Sequence, residues 1–383
     1  MLASGRANAI TPGMPTTSRT LAALTLSAAL LVAPPLVAQD DDPAAEPRWS
    51  FAIHGGADTI ARENMTPEQD AGYRAALQQA LDTGAKILAD GGSAMDAVLA
   101  AVVLLEDDPK FNAGRGAVFT WEGRNELDAA LMDGRDRSAG AVTGVTSIKN
   151  PILLAREVMR DGRHVFLSGQ GAEEFAGERG LETAPPEWFA TEARREALER
   201  LKAQQLSALD VDSKFGTVGA VALDREGNMV AGTSTGGLTG KRWGRIGDVP
   251  VLGAGTYADN RDCAVSATGQ GEFFIRAVVG YSICSGLRQK WRAMMDDAQK
   301  SVPTDAQGNP AFIVHASEMW LEESDVQAVA DEVMADVKDL GGTGGVIVVS
   351  PFGPAVFSFN TPGMYRGRAT SAGVSEVAIY GDE

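Results

Sequence analysis

Two runs of small and apolar residues, 215–223 and 229–237, stand out in the middle of the chain. Between them lies Asp224-Arg225-Glu226-Gly227-Asn228, rich in turn formers, so the pattern predicts a β-hairpin. If Leu223 faces Met229 across that turn, Thr217 falls opposite Thr235, with Cβ atoms roughly 5 Å apart. Two hydroxyls then meet at the open end of the hairpin, one of them directly after Gly216. Both faces of the hairpin are apolar, which predicts two stacked sheets enclosed by helices.

Upstream, residues 49–53 alternate as a strand and run into His54-Gly55-Gly56-Ala57, which reads as a glycine turn. Thr66-Pro67-Glu68-Gln69 supplies an N-cap, a proline at the first helical position and a first-turn acid. The helix it starts carries Ala76, Leu77, Ala80, Leu81 and Leu88 on one stripe and stops at Gly91-Gly92. Ser93 caps a second helix, to 103, whose all-round apolar character from 97 to 105 implies burial. Residues 104–116 show no period and read as a loop. Short strands are expected at 117–120, 127–132, 139–147 and 165–167, with helices at 152–160 and 172–180. Gly169-Gln170-Gly171 lacks the Lys and Ser/Thr of a phosphate loop, so it carries little weight for nucleotide binding. Residues 182–216 break the rhythm: a charged helix at 191–205 is followed by a polar stretch, 206–216, expected to be a mobile linker. Beyond the hairpin the pattern gives a strand at 263–267, a glycine turn at 268–272, helices at 273–289 and 326–340, and closing strands at 346–350 and 355–359.

Composition narrows the function. A chain of 383 residues with 44% hydrophobic residues can bury a large core, and its formal charge of −17 disfavours nucleic acid and anionic membranes as partners. Residues 1–38 read as a secretory signal: Arg19, an apolar stretch at 21–32, then Pro34, Pro35 and the small-residue exit Val37-Ala38. Twelve apolar residues are too few to span a bilayer, which takes about 20. The expectation is export to a bacterial periplasm, an acidic linker at 39–48, and no membrane association once the signal is removed. In such an oxidising compartment Cys263 and Cys284, the only cysteines, could pair. Strand and helix are predicted to bring them level, but sheet and helix axes pack about 10 Å apart, so two free buried thiols are the favoured expectation. Three histidines, none in a ligand-spaced cluster, support neither a histidine triad nor a zinc site. His54 is expected to be a hydrogen-bonded structural residue.

The hairpin threonine offers different chemistry. If the Gly216-Thr217 bond is cut, the freed α-amine, with a pKa near 8 against about 10.4 for lysine, can take the proton of its own hydroxyl. Nucleophile and base are then one residue. For an isolated threonine the plainer reading is a buried β-branched strand residue. In the glycine-rich loop 236–248, Arg245 offers a planar fork for a carboxylate and Asp248 an acceptor for an ammonium, together fitting an amino-acid end. The plainer reading there is a solvated loop salt bridge. The turn Thr268-Gly269-Gln270-Gly271-Glu272 precedes a helix start, whose unpaired amides suit an oxyanion or a carboxylate.

The segment GTVGAVALDREGNMVAGTSTGG, with GRIGD and SATGQGE after it, closely resembles the plant-type asparaginase and isoaspartyl peptidase family of N-terminal nucleophile hydrolases. The likeness runs from about residue 51 to about residue 365, with the motifs in family order. It implies an α+β fold, the four-layer αββα sandwich, cut between Gly216 and Thr217 into chains 49–216 and 217–383 of one domain. It further implies attack by Thr217, positioning by Thr235, an oxyanion hole from the Thr268 hydroxyl and Gly269 amide, and substrate contacts from Arg245, Asp248, Gly271 and Asn112. The carbonyls of Leu105, Glu106, Asp108, Phe111, Ala113 and Arg115 match a family loop that holds a structural sodium ion; no other cofactor is implied. The expected substrates are isoaspartyl dipeptides and L-asparagine, and the expected assembly is a dimer of processed units. A glycosylasparaginase and a non-catalytic exported amino-acid-binding protein remain as alternatives.

Overall fold

The computed structural model describes residues 48–58, 60–204, 216–315 and 319–383. The expected signal at 1–38 and nearly all of the expected linker at 39–48 lie outside them, as does the expected mobile stretch up to residue 215.

Among the described residues twelve strands form two sheets. The larger is built from β1 (Ser50–Asp58), β2 (Leu127–Asp133), β3 (Ala139–Val145), β4 (Phe166–Ser168), β5 (Val218–Leu223), β6 (Met229–Thr235), β11 (Gly363–Thr370) and β12 (Ser375–Tyr380). Its order is β12-β11-β1-β5-β6-β2-β3-β4, antiparallel except between β3 and β4. The smaller sheet, from β7 (Thr256–Asp259), β8 (Cys263–Gly269), β9 (Gly344–Val349) and β10 (Val356–Phe359), runs β10-β9-β8-β7. Helices α1 (Pro67–Ala89), α2 (Ala94–Asp107) and α3 (Pro151–Asp161) pack on the larger sheet, and α8 (Val279–Lys300) and α9 (Glu323–Asp339) on the smaller one. The remaining helices are α4 (Gly169–Glu178), α5 (Pro186–Phe189), α6 (Glu192–Ala203) and α7 (Gly271–Ala277).

The two sheets contact each other through β1, β2, β5 and β6 on one side and β7, β8 and β9 on the other. Alternation along the hairpin accounts for this. Val218, Ala220, Ala222 and Val230 join a core with the α1–α3 helices, whereas Val221, Leu223, Met229 and Ala231 join a second core with β8, β9, α8 and α9. Every residue of β5, β6, β8 and β9 is buried, as strands covered on both faces must be. The hairpin register follows the expectation: Leu223 pairs with Met229 and the ladder runs to Val218 opposite Ser234. The turn is held by Asp224, whose Oδ1 accepts from the amides of Glu226 and Asn228, and by Gly227 at φ +82°.

Several expectations are corrected. Gly55-Gly56 is no turn; β1 continues to Asp58 through a bulge between His54 and Gly56, because a side chain at Gly55 would collide with the Phe111 ring. Helix α2 runs to Asp107 rather than 103, and only isolated bridges form at Phe119 and Thr120. The helix expected at 273–289 is two, α7 and α8, broken at Val278 with a left-handed φ of +49°. Strands β11 and β12, beyond the expected closing strand, extend the larger sheet.

The cysteines also depart from the favoured expectation. Cys263 and Cys284 are joined in a disulfide, with Cα atoms 5.3 Å apart. Gly280, one turn before Cys284, has no side chain to hold the start of α8 off β7 and the loop before it. A Cβ there would sit 3.1 Å from Tyr257 Cβ and 3.3 Å from the carbonyl oxygens of Gly253 and Ala254. One turn after Cys284, Arg288 is ion-paired with Asp262 beside the start of β8.

Candidate active site

Thr217 lies one residue beyond the last ladder pair of the hairpin, and its hydroxyl donates to Thr235 Oγ1 at 3.1 Å. The cross-strand proximity inferred from register is therefore present, with both residues buried. Thr235 Oγ1 also accepts from the Gly237 amide at 3.0 Å. The Gly216 carbonyl accepts from the Asn112 amide at 2.8 Å, so the peptide bond between Gly216 and Thr217 is polarised by a fixed donor. Asn112 is itself locked: its Nδ2 donates to Gly237 O at 2.7 Å and its Oδ1 accepts from Val118 N at 2.9 Å. It braces the loop after β6 against the loop after α2.

The glycine turn at the end of β8 belongs to the smaller sheet. Thr268 Oγ1 accepts from Ala57 N of β1 at 3.4 Å, tying the turn to the larger sheet. Gly269, at φ +150°, has no room for a side chain: a Cβ would lie 2.7 Å from Gly344 Cα and 2.8 Å from the Phe274 ring. Gly271 opens α7 and meets Arg245 and Asp248. A Cβ at Gly271 would be 2.7 Å from Asp248 Oδ1 and 3.0 Å from Arg245 Nη2, so only glycine lets the three come together.

Arg245 does not clamp Asp248. Its fork closes on Glu272, with Nε to Oε1 and Nη2 to Oε2 both at 2.8 Å. Asp248 is buried with Oδ2 lacking any hydrogen-bond partner. Burial pushes its pKa up to about 7, against the pull of the Arg245 charge. An unsatisfied buried carboxylate oxygen is costly, and a ligand ammonium would satisfy it.

Several residues of the site went unremarked in the sequence. Lys241 is buried, donates to the Glu126 carbonyl at 2.9 Å and stands 3.9 Å from Asp128 Oδ2. Asp128 pairs in register with Thr235. His54 is buried, as expected of a structural residue, with Nδ1 3.1 Å from Thr217 O and Nε2 2.8 Å from Ser266 Oγ. Burial drives its pKa down to about 3, so the imidazole is neutral. Period-two counting could have found Ser266 and Thr233, since each lies two residues before a candidate threonine on the same strand face.

At the end of α2 the loop folds back on the helix: Cβ atoms at Gly114 and Gly116 would run into the carbonyl oxygens of Glu106 and Phe111. The Asp108 and Ala113 carbonyls accept from Phe111 N at 3.2 Å and Gly116 N at 3.1 Å. Uncharged carbonyl oxygens are the donor type that a hard monovalent cation takes. Among the described residues no group of three His, Cys, Asp or Glu side chains could hold a metal.

A model of the family described as asparaginase matches residues 47–313. The chain belongs to the asparaginase family. Within it, the isoaspartyl peptidase of Escherichia coli (strain K12) is 43% identical over 337 residues, covering 86% of this chain and 95% of the relative. The isoaspartyl peptidase of Salmonella typhimurium is 41% identical over 337 residues, 86% of this chain and 98% of that one. The human isoaspartyl peptidase/L-asparaginase is 48% identical over 226 residues, 58% of this chain and 72% of its own. The described residues contain no helix long and apolar enough to cross a membrane.

Proposed function

We propose that this protein hydrolyses β-aspartyl amide bonds, taking isoaspartyl dipeptides and, as a smaller substrate, L-asparagine, with Thr217 as an N-terminal nucleophile. The observation that carries the reading is the Thr217–Thr235 hydroxyl contact of 3.1 Å, directly after a Gly216 carbonyl held by the Asn112 amide. In the uncut chain Thr217 Oγ1 attacks the Gly216 carbonyl carbon, the C–N bond breaks as the amide becomes an ester, and water hydrolyses the ester. The freed amine then takes the Thr217 hydroxyl proton. Oγ1 attacks the side-chain carbonyl of the substrate, and the developing oxyanion is met by the Thr268 hydroxyl and the Gly269 amide. The leaving amine departs with a proton, and water releases aspartate from the ester. Arg245 and Asp248 read the α-carboxylate and α-ammonium, with Gly271 as the floor between them; the unpartnered Asp248 oxygen supports that role.

The reading extends to a four-layer αββα sandwich, supported by helices on the outer side of each of two mutually contacting sheets. It extends also to a structural sodium ion on the carbonyls of Leu105, Glu106, Asp108, Phe111, Ala113 and Arg115, supported by the family likeness of that loop and by the tight fold of its backbone at Gly114 and Gly116. Export is supported by the Cys263–Cys284 bond, since disulfides persist in oxidising compartments. Intact-mass measurement of wild type and Thr217→Ala, paired with turnover of a β-aspartyl dipeptide, tests the whole. Wild type should give two chains, one ending at Gly216 and one running from Thr217 to Glu383, and should release aspartate. Thr217→Ala should stay uncut and inactive. An uncut wild type with full activity would refute the mechanism.

A further inference from the structure

Thr217 is the residue that self-cleavage would turn into a chain end, and the hairpin ladder stops one residue short of it, at Val218. Its carbonyl is nonetheless held by His54 Nδ1 at 3.1 Å. From His54 a line of buried side chains runs on: Nε2 to Ser266 Oγ at 2.8 Å, Ser266 Oγ to Thr233 Oγ1 at 2.7 Å, and Thr233 Oγ1 to Thr256 Oγ1 at 2.7 Å. All four residues are fully buried, so no water competes.

Proton counting gives this line a direction. A carbonyl oxygen can only accept, so Nδ1 carries the single N–H of the neutral ring and Nε2 must accept. Ser266 therefore spends its proton on His54, Thr233 donates to Ser266 in preference to the more distant Gly255 carbonyl at 3.4 Å, and Thr256 donates to Thr233 at 2.7 Å in preference to the Val249 carbonyl at 3.1 Å. Each donor polarises the next in a low-dielectric interior, and the whole line ends on the Thr217 carbonyl.

The line also crosses between the sheets, and one glycine makes that possible. In the larger sheet His54 and Thr233 flank Gly219, which pairs in register with both. A side chain at Gly219 would collide with Ser266 Oγ and His54 Nε2. Ser266, reaching over from β8, fills the gap and bridges its two neighbours. The strand that carries Ser266 carries Thr268 and Gly269 two and three residues later.

We propose that His54, Ser266, Thr233 and Thr256 are positioning residues: a one-way hydrogen-bond relay, admitted by Gly219, that holds the freed Thr217 in register with the oxyanion turn of β8. This rests on the function proposed above. Substrate is held by other groups, Arg245 and Asp248, so a loosened nucleophile should cost turnover and spare binding.

The test uses the mature, self-cleaved enzyme and compares Thr233→Val, which keeps the shape and removes the hydroxyl, with Thr233→Ser, which restores it. Loss of one buried hydrogen bond should lower kcat on a β-aspartyl dipeptide about tenfold in the Val variant. KM should stay within about twofold, and the Ser variant should regain most of the loss. The relay is overturned if the Val variant keeps wild-type kcat, if KM rises while kcat holds, or if Ser is as impaired as Val. Should Thr233→Val fail to fold, Ser266→Ala is read by the same kcat and KM criteria. Mass measurement keeps the two levels apart: an uncut, inactive wild type removes the parent reading and the relay with it, whereas a cut, active wild type beside an unaffected Val variant removes the relay alone.

Discussion

Glu106 offers a quantitative check on the packing behind the site. It sits in the last turn of α2, fully buried, with Oε1 accepting from Ile152 N of α3 at 3.0 Å. Its Oε2 and the Ser234 Oγ make no hydrogen bond of full geometry, yet Ser234, the Ile152 amide and Asn150 lie near enough to favour the ionised carboxylate, and burial outweighs them. Ser234 lies on the helix-facing side of β6, the side on which Gly232 meets Val98 of α2 and Ile152. Burial pushes the Glu106 pKa from 4.5 up to about 8, so the folded protein keeps this carboxyl protonated at neutral pH. The unfolded chain does not. Between pH 4.5 and 8 unfolding therefore releases a proton, and stability falls as pH rises, by about 1.4 kcal/mol per unit or about 5 kcal/mol over the window. Glu106→Gln is neutral in both states and has no such slope. Buried His54 contributes the opposite sign below its unfolded pKa, and Asp248 the same sign as Glu106, but both are common to the two proteins and cancel in the difference. The difference in Tm, followed by circular dichroism from pH 5 to pH 8.5, should widen steadily in favour of Gln and level off above pH 8. At roughly 2 °C per kcal/mol for a domain of this size, the gap opens by several degrees. A fixed cost of the amide would move the whole curve without tilting it. Parallel curves would mean that Glu106 is ionised in the fold and that the burial argument is wrong.

Two further outcomes follow from the covalent and ionic ties. Denatured, unreduced protein should show no reactive thiol, and Cys263→Ala with Cys284→Ala should lose about 3 kcal/mol, the scale for closing a loop of some 20 residues; two titratable thiols in the native-source protein would refute the bond. Replacing sodium by choline at constant ionic strength should lower Tm if the carbonyls around Gly114 and Gly116 hold the ion, and an unchanged Tm would remove the sodium site.

Much of the framework was legible because local chemistry decided it. The hairpin register follows from Asp224, Gly227 and Asn228, and the meeting of Thr217 with Thr235 follows from the register alone. The starts of α1 and α2 are written in Thr66 and Ser93, whose hydroxyls accept from Gln69 N and Asp96 N. Where the reading failed, a tertiary contact had overridden a local signal. Gly55-Gly56 looks like a turn until the Phe111 ring is known to need the space. Gly280, two residues past Val278 and inside α8, is the only local mark near the break between α7 and α8, and a lone glycine does not by itself end a helix. The spacing of an average helix over a sheet disfavours the disulfide, whereas here Gly280 lets the start of α8 lie against β7 with no side chain between, and the cysteine Cα atoms come to 5.3 Å.

The site divides along the same line. Arg245, Asp248 and Gly271 lie within one loop and one turn, and their convergence could be suspected from type and order. That Arg245 is engaged with Glu272 while Asp248 keeps an empty oxygen depends on rotamers and burial that no spacing encodes. His54, Thr233, Thr256 and Ser266 come from four strands in two sheets, and each alone reads as a core strand residue. Alternation puts Thr233 on the face of Thr235 and Ser266 on the face of Thr268, but within-sheet register says nothing about which residue of one sheet stands over which residue of the other. What fixes that is the missing side chain at Gly219: a glycine in the middle of a fully buried strand weakens the strand unless something else needs its volume. Here the occupant is Ser266 Oγ, and the position with the least side chain sets where two sheets, and the two halves of the proposed chemistry, come into register.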